Sequence, residues 1–220
     1  MVMVEENIIT GLAADLATEG LKRAGFEPYI EIAPWSRAVY MAQHGFADAL
    51  FYAVYNEERK EYFHYPETPL FTIDLVALKR TENSIVVTPE HQGLSHLKLG
   101  IGRGFAYGPK LQEFIDKAQF AKVETTTSND INFKKLMDNR IDILVADKVL
   151  AHYFLKQPEN LGRADFVRDE NGETVIFDQL KAYLVFSRKT SAANDALHFS
   201  EALESMMTDG TYQAIINNYQ

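Results

Sequence analysis

The apolar residues of this chain alternate between helical and strand spacing. A helical spacing from residue 12 to residue 24 predicts a first helix, which ends at Gly25. Alternation at residues 29–32 predicts a short strand, and a second helix begins at Pro34 and ends at Gly45. The order helix, strand, helix, strand is typical of α/β proteins, whose sheets are mostly parallel with helices on their faces.

The stretch from Gly45 to Leu70 combines a strand, a helix start and an unusual cation. An apolar run at residues 47–54 has the length of a strand and ends before Asn56, a residue type that caps helices. Glu57 and Glu58 suit the positive end of the helix that follows, but Arg59 stands in the same first turn. A cation at this position either reaches solvent or contacts an anion, and we favour the anion.

The second half repeats the same rhythm and then returns to the first unit. The predicted elements are a strand at 97–101, a helix from Pro109, a strand at 121–126, a helix capped by Ser128, a strand at 141–146 and a helix at 149–154. Residues 169–172 predict a hairpin turn, and two amphipathic helices end the chain. Their apolar faces need a partner, so we predict a discontinuous lobe 1 (residues 1–77 and 185–220) and a lobe 2 (residues 78–184) joined by two crossing strands.

Composition and charge exclude several classes of function. The chain has 22 basic and 31 acidic residues, a net charge of −9, so nucleic acid and anionic membranes are poor partners. The chain has no cysteine, which excludes disulfides, thiolate catalysis and cysteine metal sites. Its six histidines lack metal-binding spacing, so we expect no metal and no cofactor. No apolar segment is long enough for a signal peptide or a spanning helix, which fits a cytosolic chain or one whose targeting segment has been removed.

Several ordered motifs together carry a family resemblance over nearly the whole chain. They are Gly11-x-x-x-Asp15-Leu16, Pro34-Trp35-x-Arg37, Gly45-x-Ala47-Asp48-Ala49, Glu58-Arg59 with Pro69, the run from Leu99 to Gly104, and the run from Asp142 to Asp147. In order and spacing the chain resembles the extracytoplasmic solute-binding proteins of amino-acid-type ABC transporters. The resemblance implies two α/β lobes of the periplasmic binding protein type II kind, which close over a small ligand held in the cleft between them.

The resemblance also implies roles for particular residues. Arg59 stands where the family's arginine binds the ligand carboxylate, and Asp147 stands where an aspartate receives the ligand's ammonium group. Backbone N–H groups near Tyr107 would add to carboxylate binding. The aromatic residues expected to line the site are Trp35, Tyr52, Tyr55, Phe105 and Tyr107.

Structural alternatives exist for several of these residues. Arg59 could be a solvated helix residue, and Asp147 could cap the helix that begins at Lys148. Trp35 could pack between helix and sheet instead of touching ligand, as large aromatics on apolar faces usually do. Phe105 and Tyr107 stand in a glycine-flanked loop, which favours exposure to the ligand.

Two departures from the family pattern change the expected ligand and assembly. Ala106 replaces a hydroxyl residue that would contact the ligand carboxylate, and Tyr52 begins a stretch that is usually small and polar, so both argue against a standard α-amino acid. Only ten residues precede Gly11, where the family has a full strand. Lobe 1 therefore either lacks an edge or is completed by a neighbouring chain, which makes a dimer through the N-terminal side an expectation.

The expected function is binding without chemistry. We predict a periplasmic protein that binds a small carboxylate-bearing solute, amino-acid-like, and delivers it to the membrane permease of an ABC transporter. A ligand-sensing domain of a signalling receptor would have the same residues. An enzyme on this scaffold, a dehydratase or a peptidoglycan-cleaving module, would need an acid or base in the cleft, and the sequence identifies none.

Overall fold

The computed structural model describes residues 3–5 and 8–219 of the chain. The strands are β1 (Met3–Glu5), β2 (Ile8–Thr10), β3 (Ala49–Val54), β4 (Phe63–His64), β5 (Phe71–Arg80), β6 (Val86–Val87), β7 (Lys98–Gly102), β8 (Lys122–Thr126), β9 (Ile143–Asp147), β10 (Ala164–Phe166), β11 (Arg168–Asp169) and β12 (Asp178–Ser187). The helices are α1 (Leu12–Arg23), α2 (Trp35–Gln43), α3 (Glu57–Lys60), α4 (Pro109–Ala118), α5 (Asn129–Met137), α6 (Lys148–Lys156), α7 (Ala193–Thr208) and α8 (Thr211–Asn217).

The chain forms two compact units. Unit 1 comprises Met1–Thr72 and Lys181–Gln220, and unit 2 comprises Ile73–Leu180. The chain leaves unit 1 along β5 and returns to it along β12, so both of these strands contain residues of each unit.

Unit 1 is built on antiparallel pairs with helices packed against them. Within it, β12 pairs with β3 and with β4, and both pairings are antiparallel. A core cluster includes Ala53, Phe63 and Val185, all 1% exposed or less. Helix α1 contacts α7 and α8, so the C-terminal helices pack in unit 1, where the sequence analysis expected to find their partner.

The predicted strand at Tyr29–Ile32 is wrong. These residues form no strand, and Tyr29 is 92% exposed and Ile32 49% exposed. Alternating residues form a strand only when a neighbouring strand accepts their backbone hydrogen bonds. Among the described residues β3 pairs with β12 alone, so no strand lies at its other edge. Residues 29–32 therefore lack a hydrogen-bonded neighbour.

Unit 2 contains the parallel part of the fold. Its strand order is β5-β9-β7-β8, where β7 is parallel to both β8 and β9 while β5 is antiparallel to β9. The core around β9 includes Val76, Leu144 and Ile141, each fully buried. The strand predicted at residues 141–146 is β9, which begins two residues later, at Ile143, and is buried as its composition indicated.

The predicted helix starts are confirmed by their hydrogen bonds. The Asn56 side chain accepts from the backbone N–H of Arg59 at 2.7 Å, and the Ser128 hydroxyl accepts from the N–H of Asp130 at 3.2 Å. Pro109 is the first residue of α4, as expected for a residue without an N–H donor. Residues 169–172 form the predicted turn, in which Gly172 donates to the carbonyl of Asp169 at 3.1 Å.

Candidate functional site

Arg59 is a buried cation directly after the carboxyl end of β3. It lies in α3, and only 8% of its surface is exposed. Its Nη1 donates to the carbonyl oxygen of Val54, the last residue of β3, at 2.9 Å. Burial lowers the pKa of Arg59 below its ordinary value, yet an arginine remains protonated at neutral pH. The structure therefore places a fixed, desolvated positive charge at this end of unit 1.

An aromatic ring supports this guanidinium. Arg59 Cζ lies 5.1 Å from the ring centroid of Trp35, within the range of a cation–π interaction. Trp35 is half-buried at the start of α2 and packs against the core cluster of unit 1. Trp35 therefore packs against the core, as the structural alternative predicted, and also contacts Arg59. Such a contact restricts where the guanidinium can lie.

Tyr52 has an unusual backbone conformation inside β3. Its φ is 69°, in the left-handed region, and the pairing of β3 with β12 shifts register at this point. Phe51 and Tyr52 together lie opposite Leu184, which makes the site a β-bulge. The half-buried Tyr52 ring meets Phe71 edge to face at 5.1 Å. A non-glycine residue in this region costs about 1–3 kcal/mol and is found disproportionately at ligand sites.

Tyr55 lies at the exposed margin of the same region. It is 41% exposed, and its hydroxyl donates to Glu57 at 2.7 Å. This hydrogen bond raises the pKa of Tyr55 above its ordinary value. The structure thus brings three predicted residues, Arg59, Trp35 and Tyr55, to the region around α3 and the start of α2. Together with Tyr52 they form what we call the Arg59 group.

The predicted site residues of unit 2 lie where the order of its strands reverses. From β7 the chain passes through α4 to β8 on one side, and then through α5 to β9 on the other side of β7. Because β7 and β9 are parallel neighbours, their carboxyl ends share one edge. Open α/β sheets bind ligands at such a switch point. The loop at residues 103–108 follows β7, and Asp147 is the last residue of β9.

The loop at residues 103–108 is held by its own aromatic side chains. The Tyr107 hydroxyl accepts from the backbone N–H of Gly102 at 2.6 Å, and burial raises the pKa of Tyr107 to about 12. The Phe105 ring covers Gly102 so closely that a Cβ there would lie 2.5 Å from it. Ala106, which stands between Phe105 and Tyr107 in the sequence, is half-buried. The loop is therefore an ordered surface with a fixed shape.

Asp147 caps the helix that follows it. Its Oδ1 accepts from the backbone N–H groups of Val149 at 2.6 Å and Leu150 at 3.2 Å. A carboxylate has two oxygens and about four acceptor sites, so a cap is compatible with a second role. With Phe105, Ala106 and Tyr107, Asp147 forms what we call the Asp147 group.

Two features near these groups were missed by the sequence analysis. The Tyr65 hydroxyl lies 3.4 Å from the Val54 carbonyl that also accepts from Arg59, and burial raises the pKa of Tyr65 to about 12. The carboxylate of Asp178 contacts the start of α4, where its Oδ2 accepts from the N–H of Lys110 at 3.2 Å. No local pattern marks either residue, because each reaches its partner across a sequence gap.

The described residues offer little support for other kinds of site. A surface depression of about 620 Å³ in unit 1 is lined by Glu57, Glu58, Lys60, Glu61 and Arg188, and none of these belongs to the Arg59 group. Its charged walls differ from the mainly apolar lining of most ligand pockets. Within the described part of the chain no three His, Asp or Glu side chains are grouped to hold a metal ion. Likewise, none of the described helices has the length and apolar character to cross a membrane.

Comparison with known proteins places the chain in a family. The model of the bacterial extracellular solute-binding proteins, family 3, matches residues 1–220. The chain therefore belongs to this family, as the ordered motifs indicated, and its α/β fold is that of the type II periplasmic binding proteins. No curated protein sequence matches the chain.

Solved structures agree with this fold at low sequence identity. An ancestral arginine-binding protein bound to arginine has a TM-score of 0.82 at 20% identity, covering 99% of this chain and 92% of that one. The arginine-, lysine-, histidine-binding protein ArtJ from Geobacillus stearothermophilus has a TM-score of 0.78 at 16% identity, covering 99% and 89%. A histidine kinase sensor domain similar to periplasmic binding proteins has a TM-score of 0.81 at 15% identity, covering 99% and 90%.

Proposed function

We propose that this chain binds an amino-acid-like solute outside the cytoplasm and presents it to the permease of an ABC transporter, without chemical change. Arg59 binds the carboxylate of the solute and Asp147 receives its ammonium group. The single observation that carries the proposal is the burial of the Arg59 guanidinium, at 8% exposure, against Val54 and Trp35 at the carboxyl end of β3.

The chemistry of Arg59 supports this role. A guanidinium presents parallel N–H donors that match both oxygens of a carboxylate. Withdrawal from water strengthens its attraction for an anion, because water screens a buried charge less than an exposed one. The Val54 carbonyl and the Trp35 ring hold the group before any ligand arrives. A binding group that is already ordered loses less conformational entropy on binding.

The Asp147 group supports the other end of the ligand. Asp147 lies at the edge where β7 and β9 end, the place at which open α/β sheets bind ligands. The half-buried rings of Phe105 and Tyr107 would contact the apolar part of a side chain. Two proteins of similar structure are an arginine-binding protein and an arginine-, lysine-, histidine-binding protein, which makes these amino acids the first to test.

A second candidate function is ligand sensing in a signalling protein. It is favoured by the similarity to a histidine kinase sensor domain at a TM-score of 0.81. Binding would be the same in both functions, but transport requires a partner permease. Stimulation of ATP hydrolysis by an amino-acid ABC transporter reconstituted in liposomes supports transport. Ligand binding with no such stimulation supports sensing.

Isothermal titration calorimetry of the refolded, ligand-free protein tests the proposal. The panel contains the twenty standard amino acids together with succinate and putrescine, which carry only carboxylates or only amines. We expect at least one amino acid to bind with a micromolar or lower Kd and neither control to match it. Such binding would overrule the argument from Ala106 and Tyr52 against a standard α-amino acid. Binding of succinate or putrescine more tightly than every amino acid would overturn the assignment of Arg59 and Asp147 to the two ends of a zwitterion. Mass spectrometry of the ligand after incubation would reveal any enzymatic conversion.

A further inference from the structure

The start of α4 already has a carboxylate of the protein bound to it. Asp178, the first residue of β12, is only 8% exposed. Its Oδ2 accepts from the backbone N–H of Lys110 in the first turn of α4, at 3.2 Å, and its Oδ1 accepts from the N–H of Gln179 at 3.0 Å. Asp178 and Lys110 are 68 residues apart in the sequence, so the contact is a tertiary one within unit 2.

The contact is close enough to require a glycine at the helix start. A Cβ added to Gly108, the residue before Pro109, would lie 1.8 Å from Asp178 Oδ2. Any side chain at residue 108 would therefore collide with the Asp178 carboxylate. The first N–H groups of a helix have no partner inside the helix and carry a partial positive charge, which makes this the place where an external anion would bind. Asp178 occupies this position instead, so the expectation that N–H groups at this helix start add to binding of the ligand carboxylate is not supported.

A second carboxylate, Asp74 on the neighbouring strand, contacts Gln179, the residue that follows Asp178. Asp74 in β5 accepts a hydrogen bond from the Gln179 side chain at 2.8 Å. Its other oxygen lies 3.8 Å from Lys148 Nζ, and the side chain of that lysine is 38% exposed. The other cations of this region, Arg103 and Lys110, are exposed as well. Water screens these exposed cations more strongly than it screens the buried carboxylate of Asp178. The electrostatic potential near the loop is therefore dominated by the negative charge of Asp178.

We propose that Asp178 is a specificity-determining residue, whose buried carboxylate fills the anion position at the start of α4 and so directs this edge of unit 2 toward ligands with a cationic or neutral side chain. The inference rests on the proposed function, and it adds the charge class of the ligand. Dicarboxylic amino acids are disfavoured, because their second carboxylate would meet a helix start that is already occupied by an anion. Ala106, which lacks a hydroxyl donor, contributes nothing to offset this effect.

The first test needs no amino acid ligand. In ¹H–¹⁵N spectra, sodium sulfate is titrated at constant ionic strength into wild type, Asp178→Ala and Asp178→Asn. We expect saturable shifts of the Gly108 and Lys110 amide resonances in the variants, because the freed N–H of Lys110 can donate to the external anion, and none in wild type. Equal responses in all three proteins would overturn the occupancy of the helix start by Asp178. Asp178→Asn keeps the shape of the side chain, so it remains informative if the alanine variant does not fold.

The second test measures ligand charge. L-arginine, L-glutamine and L-glutamate are titrated into wild type, Asp178→Asn and Asp116→Asn, which removes an exposed carboxylate near the other end of α4. We expect Asp178→Asn to weaken arginine binding and to strengthen glutamate binding by about fifteenfold each, the size of a Coulomb interaction across roughly 10 Å at an effective dielectric constant near 20. The ratio of the two Kd values should therefore change by about two hundredfold in favour of glutamate. Asp116→Asn should leave the ratio unchanged.

The outcomes separate this inference from the proposed function. If wild type binds an amino acid and Asp178→Asn leaves the ratio unchanged, the specificity role of Asp178 is wrong while the proposed function stands. If wild type binds none of the panel, the proposed function is wrong, and the sulfate titration still decides whether Asp178 occupies the helix start. A proportional loss of affinity for all three ligands would mean a purely structural role and would also overturn the inference.

Discussion

In unit 2, β7 lies between two parallel neighbours, β8 and β9, whereas in unit 1 β3 pairs with β12 on one side and, among the residues that the structure describes, with no strand on the other. The surroundings of the two strands differ accordingly. Residues 99 and 100 of β7 are fully buried or nearly so, while four of the six residues of β3 are only half-buried. A central strand is fixed on both sides, and an edge strand leaves half of its backbone groups for other partners.

The two units nevertheless present their predicted binding residues in the same way. Arg59 follows the carboxyl end of β3, and Asp147 is the last residue of β9. Each side chain is held by backbone groups of its own unit, the Val54 carbonyl for the cation and the N–H groups of Val149 and Leu150 for the anion. In both units the charged side chain thus lies near the carboxyl end of a strand, in the helix that follows β3 for the cation and in the last residue of β9 for the anion.

The largest expected effect concerns the difference between the two cores. Leu144→Ala in β9 removes a fully buried side chain beside two neighbouring strands, and Leu50→Ala in β3 removes one that is 8% exposed at an edge. Large-to-small changes in cores cost about 2–5 kcal/mol and cost less where the site can relax. We expect a loss of about 4 kcal/mol for Leu144→Ala and about 2 kcal/mol for Leu50→Ala, measured by urea unfolding. A larger loss for Leu50→Ala would reverse the comparison.

The next effect concerns the positive charge of unit 1. Arg59→Ala should raise the Kd of the best amino acid ligand at least about thirtyfold, because truncating one partner of a buried charge pair costs about 2 kcal/mol or more. The Kd for Arg59→Lys should fall between those of wild type and Arg59→Ala, since an ammonium keeps the charge but lacks the two parallel donors. Lys60→Ala removes an exposed cation from the neighbouring position and serves as the control. Calorimetry giving similar values for Arg59→Ala and Lys60→Ala would contradict the role of Arg59.

A smaller effect concerns the pH dependence of stability, to which one buried tyrosine in each unit contributes. Burial raises the pKa of Tyr65 in unit 1 and of Tyr107 in unit 2 to about 12. The unfolded value is near 10, so the folded state favours the neutral phenol. The stability that this contributes is complete below about pH 10 and is lost as the pH rises toward 12. We expect the free energy of unfolding to fall between these values, and to fall less in Tyr107→Phe. An ultraviolet titration in which all eleven tyrosines ionise together near pH 10 would contradict the prediction.

The smallest effect tests the open edge itself. Amide hydrogen exchange should be slow along β7 and β9, fast at residues 29–32, and intermediate in β3, because exchange follows the loss of backbone hydrogen bonds. Exchange in β3 as slow as that in β7 and β9 would contradict this comparison.

The sequence predicted those features that depend on neighbours along the chain. Helix starts at Asn56, Pro109 and Ser128 follow from local capping chemistry, and each is present. The order of the longer helices and strands was predicted for the same reason, apart from the strand expected at residues 29–32. Arg59 was predicted as a binding residue from the spacing of the family motifs. No local pattern indicates its burial, since an arginine in the first turn of a helix is usually solvated.

The features that the sequence did not predict depend on partners distant in the chain. The residues at 29–32 have the composition of a strand, but their state is decided by whether another strand lies beside them. The left-handed backbone of Tyr52 is imposed by the register of β12, which is more than a hundred residues away. The occupation of the α4 start by Asp178 likewise requires β12 to return beside that helix.

Calorimetry with matched ligand pairs tests whether Arg59 binds the ligand carboxylate. L-arginine and agmatine, which is arginine without its carboxylate, are titrated into wild type and Arg59→Ala, with L-glutamine and 4-aminobutanamide as a second pair. The account predicts that loss of the ligand carboxylate weakens binding to wild type at least about thirtyfold and leaves binding to Arg59→Ala nearly unchanged. An equal loss in both proteins would show that Arg59 does not bind the carboxylate and would contradict the account.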